Sequence, residues 1–211
     1  MARPRAADYD AKRETILEKS AELFARAGYD GTSLADIAKA CGTSKALLYH
    51  YYENKEALLS DIIRAHLQEL VDVVREARGA AGEPRARLEA LVRALLEAYR
   101  DADAQHVIQI NEMGRLPKEI QDELKAMERE LVVHAKEAIL EVNPALAARP
   151  ELVKPVTMSL FGMMNWSFMW FKPSKGMSRE QYAGLLTTLI AEGSTAAVGR
   201  DAGGGPSTRA G

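Results

Sequence analysis

Apolar residues recur along almost the whole chain at the three- to four-residue spacing of a helix, and no segment alternates apolar and polar residues as a strand does. The first apolar stripe, residues 16–27, is followed by Gly28, a residue type that commonly ends helices. Ser33 and Asp36 then have the spacing of a capping box, which predicts the start of a second helix. The pattern predicts an all-α chain of nine helices.

The first helices are separated by short turns. The second runs from Ser33 towards Gly42, a third short helix opens at Ser44, and Asn54 is placed to cap a long fourth helix. Gly79–Pro84 breaks the pattern. Beyond this break the predicted helices cover residues 85–99, 104–113, 117–142, 151–171 and 178–198.

Composition narrows the possible functions. The formal net charge is −2, with 28 basic against 30 acidic side chains, so nucleic-acid binding requires a local patch. The single cysteine, Cys41, excludes an internal disulfide and is consistent with a reducing compartment. The most apolar stretch, Met158–Phe171, is shorter than the roughly 20 residues of a membrane-spanning helix. We expect a cytoplasmic protein that does not contact a membrane.

The two short helices around Gly42 form a helix-turn-helix pattern, in which the second helix can lie in a DNA major groove. A simple helical corner has the same pattern, and residues 1–55 are nearly neutral, so both interpretations stay open at this point. In the DNA-binding interpretation the contacts come from the turn, from the helix that opens at Ser44 and from the start of the long fourth helix. The candidates are Thr43, Ser44, Lys45, Ala46, Leu47, Tyr49, His50 and Lys55.

Three ordered segments resemble the TetR family of transcriptional repressors: residues 24–29 (FARAGY), 32–38 (TSLADIA) and 42–58 (GTSKALLYHYYENKEAL). The resemblance implies a two-fold dimer with three-helix DNA-binding heads and a C-terminal bundle that binds a small molecule. It implies domains at residues 1–55 (helix-turn-helix) and 56–199 (ligand binding and dimerisation), followed by a disordered tail at 200–211.

The resemblance also assigns roles within the head. It implies that Ser33 caps a helix near a phosphate and that Tyr49 and Lys55 are phosphate anchors. It also implies that His50 contacts a base or the DNA backbone. Lys45, Ala46 and Leu47 become the groove-facing start of the recognition helix. The chain departs from the family at Ala46, which is often Gly, and at Tyr52, which is often Phe and is expected to be equivalent core.

Two segments are candidate ligand contacts. One surrounds the helix end at Gly114, and the other is the Trp- and Met-rich stretch, which resembles the branch of the family that senses acyl-CoA thioesters. Asn165, in that stretch, is expected to be buried, and a buried amide needs hydrogen-bond partners, either a ligand or a partner subunit. Arg115, Lys172 and Lys175 are cations available for CoA phosphates. The candidates are Gln109, Glu112, Met113, Arg115, Asn165, Trp166, Met169 and Trp170.

The last predicted helix and the preceding one are expected to form a four-helix dimer seam. The residues assigned to it are Phe161, Leu185, Leu189, Ile190 and Gly193.

The predicted partners are therefore operator DNA, a second copy of the chain and a small effector, with an acyl-CoA favoured over the drug-like ligands of an efflux sensor. The competing class is a helical enzyme or scaffold. It is disfavoured because Glu130 and His134 lack a second Glu-His set and no phosphate loop or catalytic triad is recognisable. Most histidines, such as His66 and His106, are interpreted as surface or packing residues. We expect no catalytic residues, metal or cofactor.

Overall fold

The computed structural model describes residues 3–172 and 176–201, and within them every regular element is helical. In these two described ranges there are nine α-helices and three short 3₁₀ segments, at Met113–Arg115, Pro144–Ala148 and Ser167–Met169. The predicted all-α fold is therefore confirmed. The α-helices are α1 Arg3–Ala27, α2 Leu34–Ala40, α3 Lys45–Tyr51, α4 Lys55–Gly79, α5 Pro84–Ala98, α6 Asp103–Glu112, α7 Lys118–Val142, α8 Pro150–Asn165 and α9 Arg179–Asp201.

The chain divides into two compact units. The first unit contains the residues up to Glu69 together with Asp101–Met127, and the second contains Leu70–Arg100 together with the residues from Glu128 onward. The division falls within α4 and within α7. Lys175, on which a phosphate contact was predicted, and residues 202–211 of the predicted disordered tail lie outside the described residues. The first two residues of that predicted tail, 200 and 201, are instead the end of α9.

In the first unit, α1 packs against α2 and α6, and α2 packs against α3. The apolar stripes meet in a core where side chains are almost fully buried, each contributing roughly 1.5–3 kcal/mol relative to exposure. That core includes Ile16, Phe24, Ile37, Leu48, Leu58, Ile62 and Leu67.

The turn between α2 and α3 has a stereochemical reason for its glycine. Gly42 adopts φ +60°, a left-handed conformation that favours glycine. Its N–H donates to the carbonyl of Lys39 at 3.1 Å, and the N–H of Thr43 donates to that of Ala38 at 2.9 Å. These two bonds are the Schellman motif that closes a helix and redirects the chain. The orientation of α3 relative to α2 therefore begins with this residue.

The predicted caps are confirmed. Ser33 and Asp36 form the complete capping box of α2, and the Ser44 hydroxyl accepts from the N–H of Leu47 at 3.1 Å. The Asn54 side-chain oxygen accepts from the N–H of Ala57 at 2.8 Å. These short polar side chains satisfy helix N–H groups that have no partner within the helix.

In the second unit, α9 packs against α5 and α8. The predicted eighth helix is too long: α8 ends at Asn165 rather than Phe171, and the chain continues as a 3₁₀ turn. Ser, Phe and Trp are weak helix formers, so tertiary contacts decide this segment. The ring of Phe171 stacks on Tyr182 of α9 with centroids 4.8 Å apart. This contact favours a course towards α9 over a straight continuation of α8.

None of the helices in the described part of the chain is long and apolar enough to cross a membrane.

Candidate nucleic-acid interface

Helix α3 buries one side and exposes the other. Leu48 is fully buried and Tyr52, at the C-cap, is 5% exposed, so these two anchor the helix in the core of the first unit. The predicted groove-facing residues Lys45, Ala46 and Leu47 are exposed. Among the candidates Thr43 is half-buried, and the exposed ones are Ser44, Lys45, Ala46, Leu47, Tyr49 and His50.

Two of these exposed side chains, Leu47 and Tyr49, are large and partly apolar. An isolated exposed apolar residue is unremarkable in a soluble protein. Here both lie on a short helix beside Lys45 and His50, which are also exposed and carry hydrogen-bond donors. Such a combination can contact base edges, thymine methyl groups and phosphates from one helix face.

An open depression beside α3 is lined by Ser33, Lys45, Tyr49 and Lys55, and also by Asp30 and Asp36. The Ser33 hydroxyl is occupied by its cap, because it donates to the Asp36 carboxylate at 2.5 Å and accepts from the Asp36 N–H. The carboxylate accepts from the Ser33 hydroxyl and also from the Ser33 N–H at 3.0 Å, and these two bonds lower the pKa of Asp36, which keeps it negatively charged. A phosphate contact at Ser33 stays a prediction, and this carboxylate opposes it electrostatically.

Lys55 makes contacts that the sequence did not predict. Its Nζ donates to the carbonyls of Tyr29 at 2.7 Å and Thr32 at 2.8 Å, and lies 4.4 Å from the centroid of the Tyr29 ring. An ammonium group has three N–H donors, so at most one is left for a phosphate. Lys55 therefore fastens the α1–α2 loop to the start of α4, and its role as a phosphate anchor stays a prediction.

The Asp61 network is a second set of polar contacts beneath α3. We define it as Arg13, Tyr52, Asp61, Arg64 and Glu123. Oδ2 of Asp61 accepts from Arg13 at 2.7 Å and from the Tyr52 hydroxyl at 3.0 Å, and Oδ1 accepts from Arg64 at 3.0 Å. Burial, and then the negative charge of Asp61, raise the pKa of Tyr52, so the hydroxyl remains a donor. Tyr52 is core as expected, but it is not equivalent to Phe.

The end of α6 lies against the same loop as Lys55. Arg115 pairs with Asp30 at 2.8 Å and with Glu112, and its guanidinium carbon lies 5.6 Å from the centroid of the Tyr29 ring. Met113 is buried and Gln109 is half-buried. Of the predicted ligand contacts in this segment, Arg115 and Glu112 are thus engaged with each other.

His66 and His106 are buried packing residues rather than surface residues. Their rings lie 6.0 Å apart between centroids and are nearly perpendicular. Burial, and then His106, lower the pKa of His66 to about 4, so the ring is neutral near neutral pH. One sequence feature could have indicated that His106 is buried. Its spacing from Gln109 and from Met113, the C-cap residue, places all three on the same side of α6, and Met113 is buried.

The predicted ligand contacts of the second unit are mainly on the surface. Trp166, Met169 and Trp170 are all more than half exposed. Asn165 has a partner that the sequence did not indicate, because its side-chain oxygen accepts from the Tyr99 hydroxyl at 2.8 Å. Burial raises the pKa of Tyr99, which keeps that donor protonated. No cluster of three or more His, Cys, Asp or Glu that could hold a metal ion is found in the described residues.

The residues assigned to a dimer seam fall into two groups. Phe161 and Ile190 are only 6% and 5% exposed within one chain, so they belong to its own core and have almost no surface to give a second subunit. Leu185 and Leu189 are 40% and 51% exposed, and Gly193 is also exposed. Only this second group is available for contact with another copy.

Comparison with known proteins agrees with the fold. Residues 16–62 match the family model described as "Bacterial regulatory proteins, tetR family". Residues 81–194, more than half of the chain, match the model described as "Tetracyclin repressor-like, C-terminal domain".

Individual relatives cover nearly the full length. The transcriptional repressor KstR2 of Mycobacterium tuberculosis H37Rv is 26% identical over 90% of this chain and 96% of its own. A TetR-family regulator from Bordetella parapertussis has a solved structure with a TM-score of 0.79, at 36% identity over 84% of this chain and 93% of that one.

AibR, solved in complex with isovaleryl coenzyme A and operator DNA, matches with a TM-score of 0.71 at 30% identity, over 84% of this chain and 97% of that one. These matches span both the helix-turn-helix region and the C-terminal helices, and they describe regulators rather than enzymes. The chain belongs to the TetR family of transcriptional regulators.

Proposed function

We propose that this protein is a transcriptional repressor that binds an inverted-repeat operator and is released from it by a small effector. The observation that carries the proposal is the outward face of α3, where Lys45, Leu47, Tyr49 and His50 are exposed together while Leu48 holds the helix in the core. This is the geometry required of a recognition helix, whose exposed side chains read base edges.

The proposed assembly is a homodimer. Residues 1–55 are the proposed DNA-binding domain, and residues 56–199 are the proposed ligand-binding and dimerisation domain. Leu185, Leu189 and Gly193 of α9 are proposed interface residues, supported by the exposure of the two leucines. A two-fold dimer places two recognition helices about 34 Å apart, one turn of DNA, so the operator is expected to be an inverted repeat.

The proposed effector is an acyl-CoA thioester. Support comes from AibR, whose structure contains both an acyl-CoA and operator DNA. A thioester needs apolar surface for its acyl chain and cations for its CoA phosphates. Trp166, Met169 and Trp170 supply apolar surface, and exposed Lys172 lies two residues after Trp170. Arg115 is a weaker candidate because Asp30 and Glu112 already neutralise it.

The first experiment asks whether the protein selects a DNA sequence. The full-length protein is used to enrich duplexes from a random-sequence library, and binding is measured by fluorescence anisotropy at several salt concentrations. We expect an inverted repeat. Lys45→Ala should change which base is preferred at one position of each half-site, since this residue faces the groove. Lys19→Ala is the charge-matched control, because its ammonium is paired with Glu22 at 2.8 Å on α1. Failure to enrich any sequence would contradict the proposal.

The second experiment identifies the effector class. Acyl-CoA thioesters of different chain types, the free acids, and CoA alone are titrated into the complex of protein and selected duplex. Release by a thioester, but by neither of its halves, is the expected result. An effector can shift the equilibrium only by its difference in affinity for the two states, so release must be accompanied by weaker thioester binding to the DNA-bound protein. Release by hydrophobic cations alone would favour an efflux sensor instead.

A further inference from the structure

The hydroxyl group of Tyr52 holds the end of the recognition helix. Tyr52 is the C-cap of α3 and has an extended backbone (φ −139°, ψ 118°), so the chain leaves the helix at this residue. Tyr52 is 5% exposed, and its hydroxyl donates to the carboxylate of Asp61 on α4 at 3.0 Å. A phenylalanine would fill the same space but would lack this bond.

The same carboxylate also joins α1 to α4 and accepts a bond from Arg64 on its own helix. Arg13 of α1 donates to the oxygen that accepts from Tyr52, at 2.7 Å, and Arg64 donates to the other oxygen at 3.0 Å. Asp61 is only about a quarter exposed, so its bonds are partly shielded from water. The carboxylate therefore fixes the position of α3 relative to α1 and α4 through bonds to charged groups, which are stronger than neutral ones.

Arg64 extends this set of contacts to α7. Its Nε and one terminal nitrogen donate to the two oxygens of Glu123 at 2.8 and 3.0 Å, a two-bond fork that holds both side chains in one orientation. Glu123 lies on α7, which continues to Val142. A continuous series of bonds thus leads from α7 through Arg64 and Asp61 to the end of α3.

We propose that Tyr52 and Asp61 are positioning residues for operator recognition, and that the Arg64–Glu123 fork makes this positioning dependent on α7. The inference rests on the proposed DNA-binding function. Tyr52 is 5% exposed and acts through the orientation of α3 rather than through DNA contact. Its hydroxyl should therefore affect sequence-specific binding, which depends on where base-reading side chains lie, more than non-specific binding, which depends on phosphates.

The test compares Tyr52→Phe with Tyr51→Phe. The control removes a hydroxyl from the neighbouring residue, whose ring stacks on Tyr9 with centroids 4.6 Å apart. Affinity is measured for the selected duplex and for a shuffled duplex of the same composition, with concentrations corrected for the fraction of folded protein. For Tyr52→Phe we expect affinity for the selected duplex to fall about three- to ten-fold, with the shuffled duplex and the salt dependence almost unchanged.

The link to α7 is tested by a double-mutant cycle with Glu123→Gln, which keeps the shape of the side chain but removes its charge. Glu123→Gln alone should lower affinity for the selected duplex, and if the network acts as a unit the double variant should lose no more affinity than about the larger of the two single losses. Unchanged affinity in the Glu123→Gln single variant, or losses that multiply, would overturn the link to α7.

Two further outcomes separate this inference from the proposed function. If Tyr52→Phe leaves the ratio of the affinities for selected and shuffled DNA unchanged, the positioning role of Tyr52 is overturned. If the unmodified protein selects no duplex at all, the proposed function fails first and this inference fails with it.

Discussion

Replacing Lys55 by methionine separates two roles that this residue could have in the head. Methionine keeps most of the apolar stem but removes the ammonium group, which donates to the carbonyls of Tyr29 and Thr32 at 2.7 and 2.8 Å and lies over the Tyr29 ring. If the ammonium fastens the loop, the variant should loosen residues 29–36. If it binds phosphate, the variant should weaken DNA binding without loosening the loop.

The expected size of the loosening follows from the two hydrogen bonds and the ring interaction of the ammonium group. Each bond to a partly exposed charged donor contributes about 1 kcal/mol after water replaces it, and the ring interaction adds about 0.5 kcal/mol. The local opening free energy should therefore fall by about 2 to 2.5 kcal/mol. Because a change of about 1.4 kcal/mol is tenfold, amides in this loop should exchange with deuterium at least about thirty-fold faster.

Hydrogen exchange followed by mass spectrometry is the appropriate assay, since both tryptophans, Trp166 and Trp170, lie in the second unit and their fluorescence does not report on the head. Lys45→Met is the matched control: it removes an exposed ammonium of α3 and should leave the loop's exchange unchanged. Unchanged exchange in Lys55→Met, together with a salt slope for DNA binding smaller by about one, would refute the fastening role and establish the phosphate contact.

Three further predictions concern pH and assembly. Hydrogen bonds from Arg78 and Arg87 lower the pKa of Glu141 to about 2, so the ionised carboxylate stabilises the folded chain above about pH 4.5 and this stabilisation is lost as the pH falls towards 2. After allowance for the one-third exposure of Glu141, Glu141→Gln should lower the free energy of unfolding at pH 7 by about 1–2 kcal/mol, measured by urea denaturation. The pKa of His66 is lowered to about 4, so the ring stays neutral in the folded chain down to that pH while it is protonated in the unfolded chain below about pH 6.5. This difference should lower the free energy of unfolding by about 3 kcal/mol between pH 6.5 and 4, and His66→Gln should make the free energy of unfolding less dependent on pH in the same assay. Leu189→Asp, at an exposed position of α9, should convert dimers to monomers by light scattering, and dimers that persist would place the interface elsewhere.

Features governed by local stereochemistry could be predicted from the sequence. The capping box of Ser33 and Asp36, the cap at Ser44 and the turn at Gly42 all depend on side-chain or backbone requirements within a few residues. Because these fix both ends of α2 and the start of α3, the exposed surface of α3 was also predictable. Its buried face follows from the helical period that places Leu48 in the core.

Features governed by distant contacts could not be predicted. The end of α8 at Asn165 depends on stacking between Phe171 and Tyr182 of α9, a contact with a different helix that is not local to α8. The bonds of Lys55 to the α1–α2 loop, and of Tyr52 to Asp61, require knowledge of which helices pack together. A family pattern gave Tyr52 its place in the core, but the chain's own hydroxyl group gives it a bond that the pattern does not contain.

Helix α9 shows why a sequence can assign a helix to an interface without identifying which of its residues form the interface. Its apolar residues surround the helix instead of forming one stripe: Leu186 and Ile190 are buried in the second unit, whereas Leu185 and Leu189 point outward. Helices α5 and α8 of the same chain pack against α9, and Leu185 and Leu189 remain exposed beside them, so this remaining apolar surface is the part of α9 available to another copy of the chain. Since both faces carry the same residue types, composition and spacing cannot distinguish them. For this reason the sequence pattern places Ile190 in the seam although the chain's own core covers it, and Leu185 and Leu189 are the positions at which disruption of a dimer should be sought.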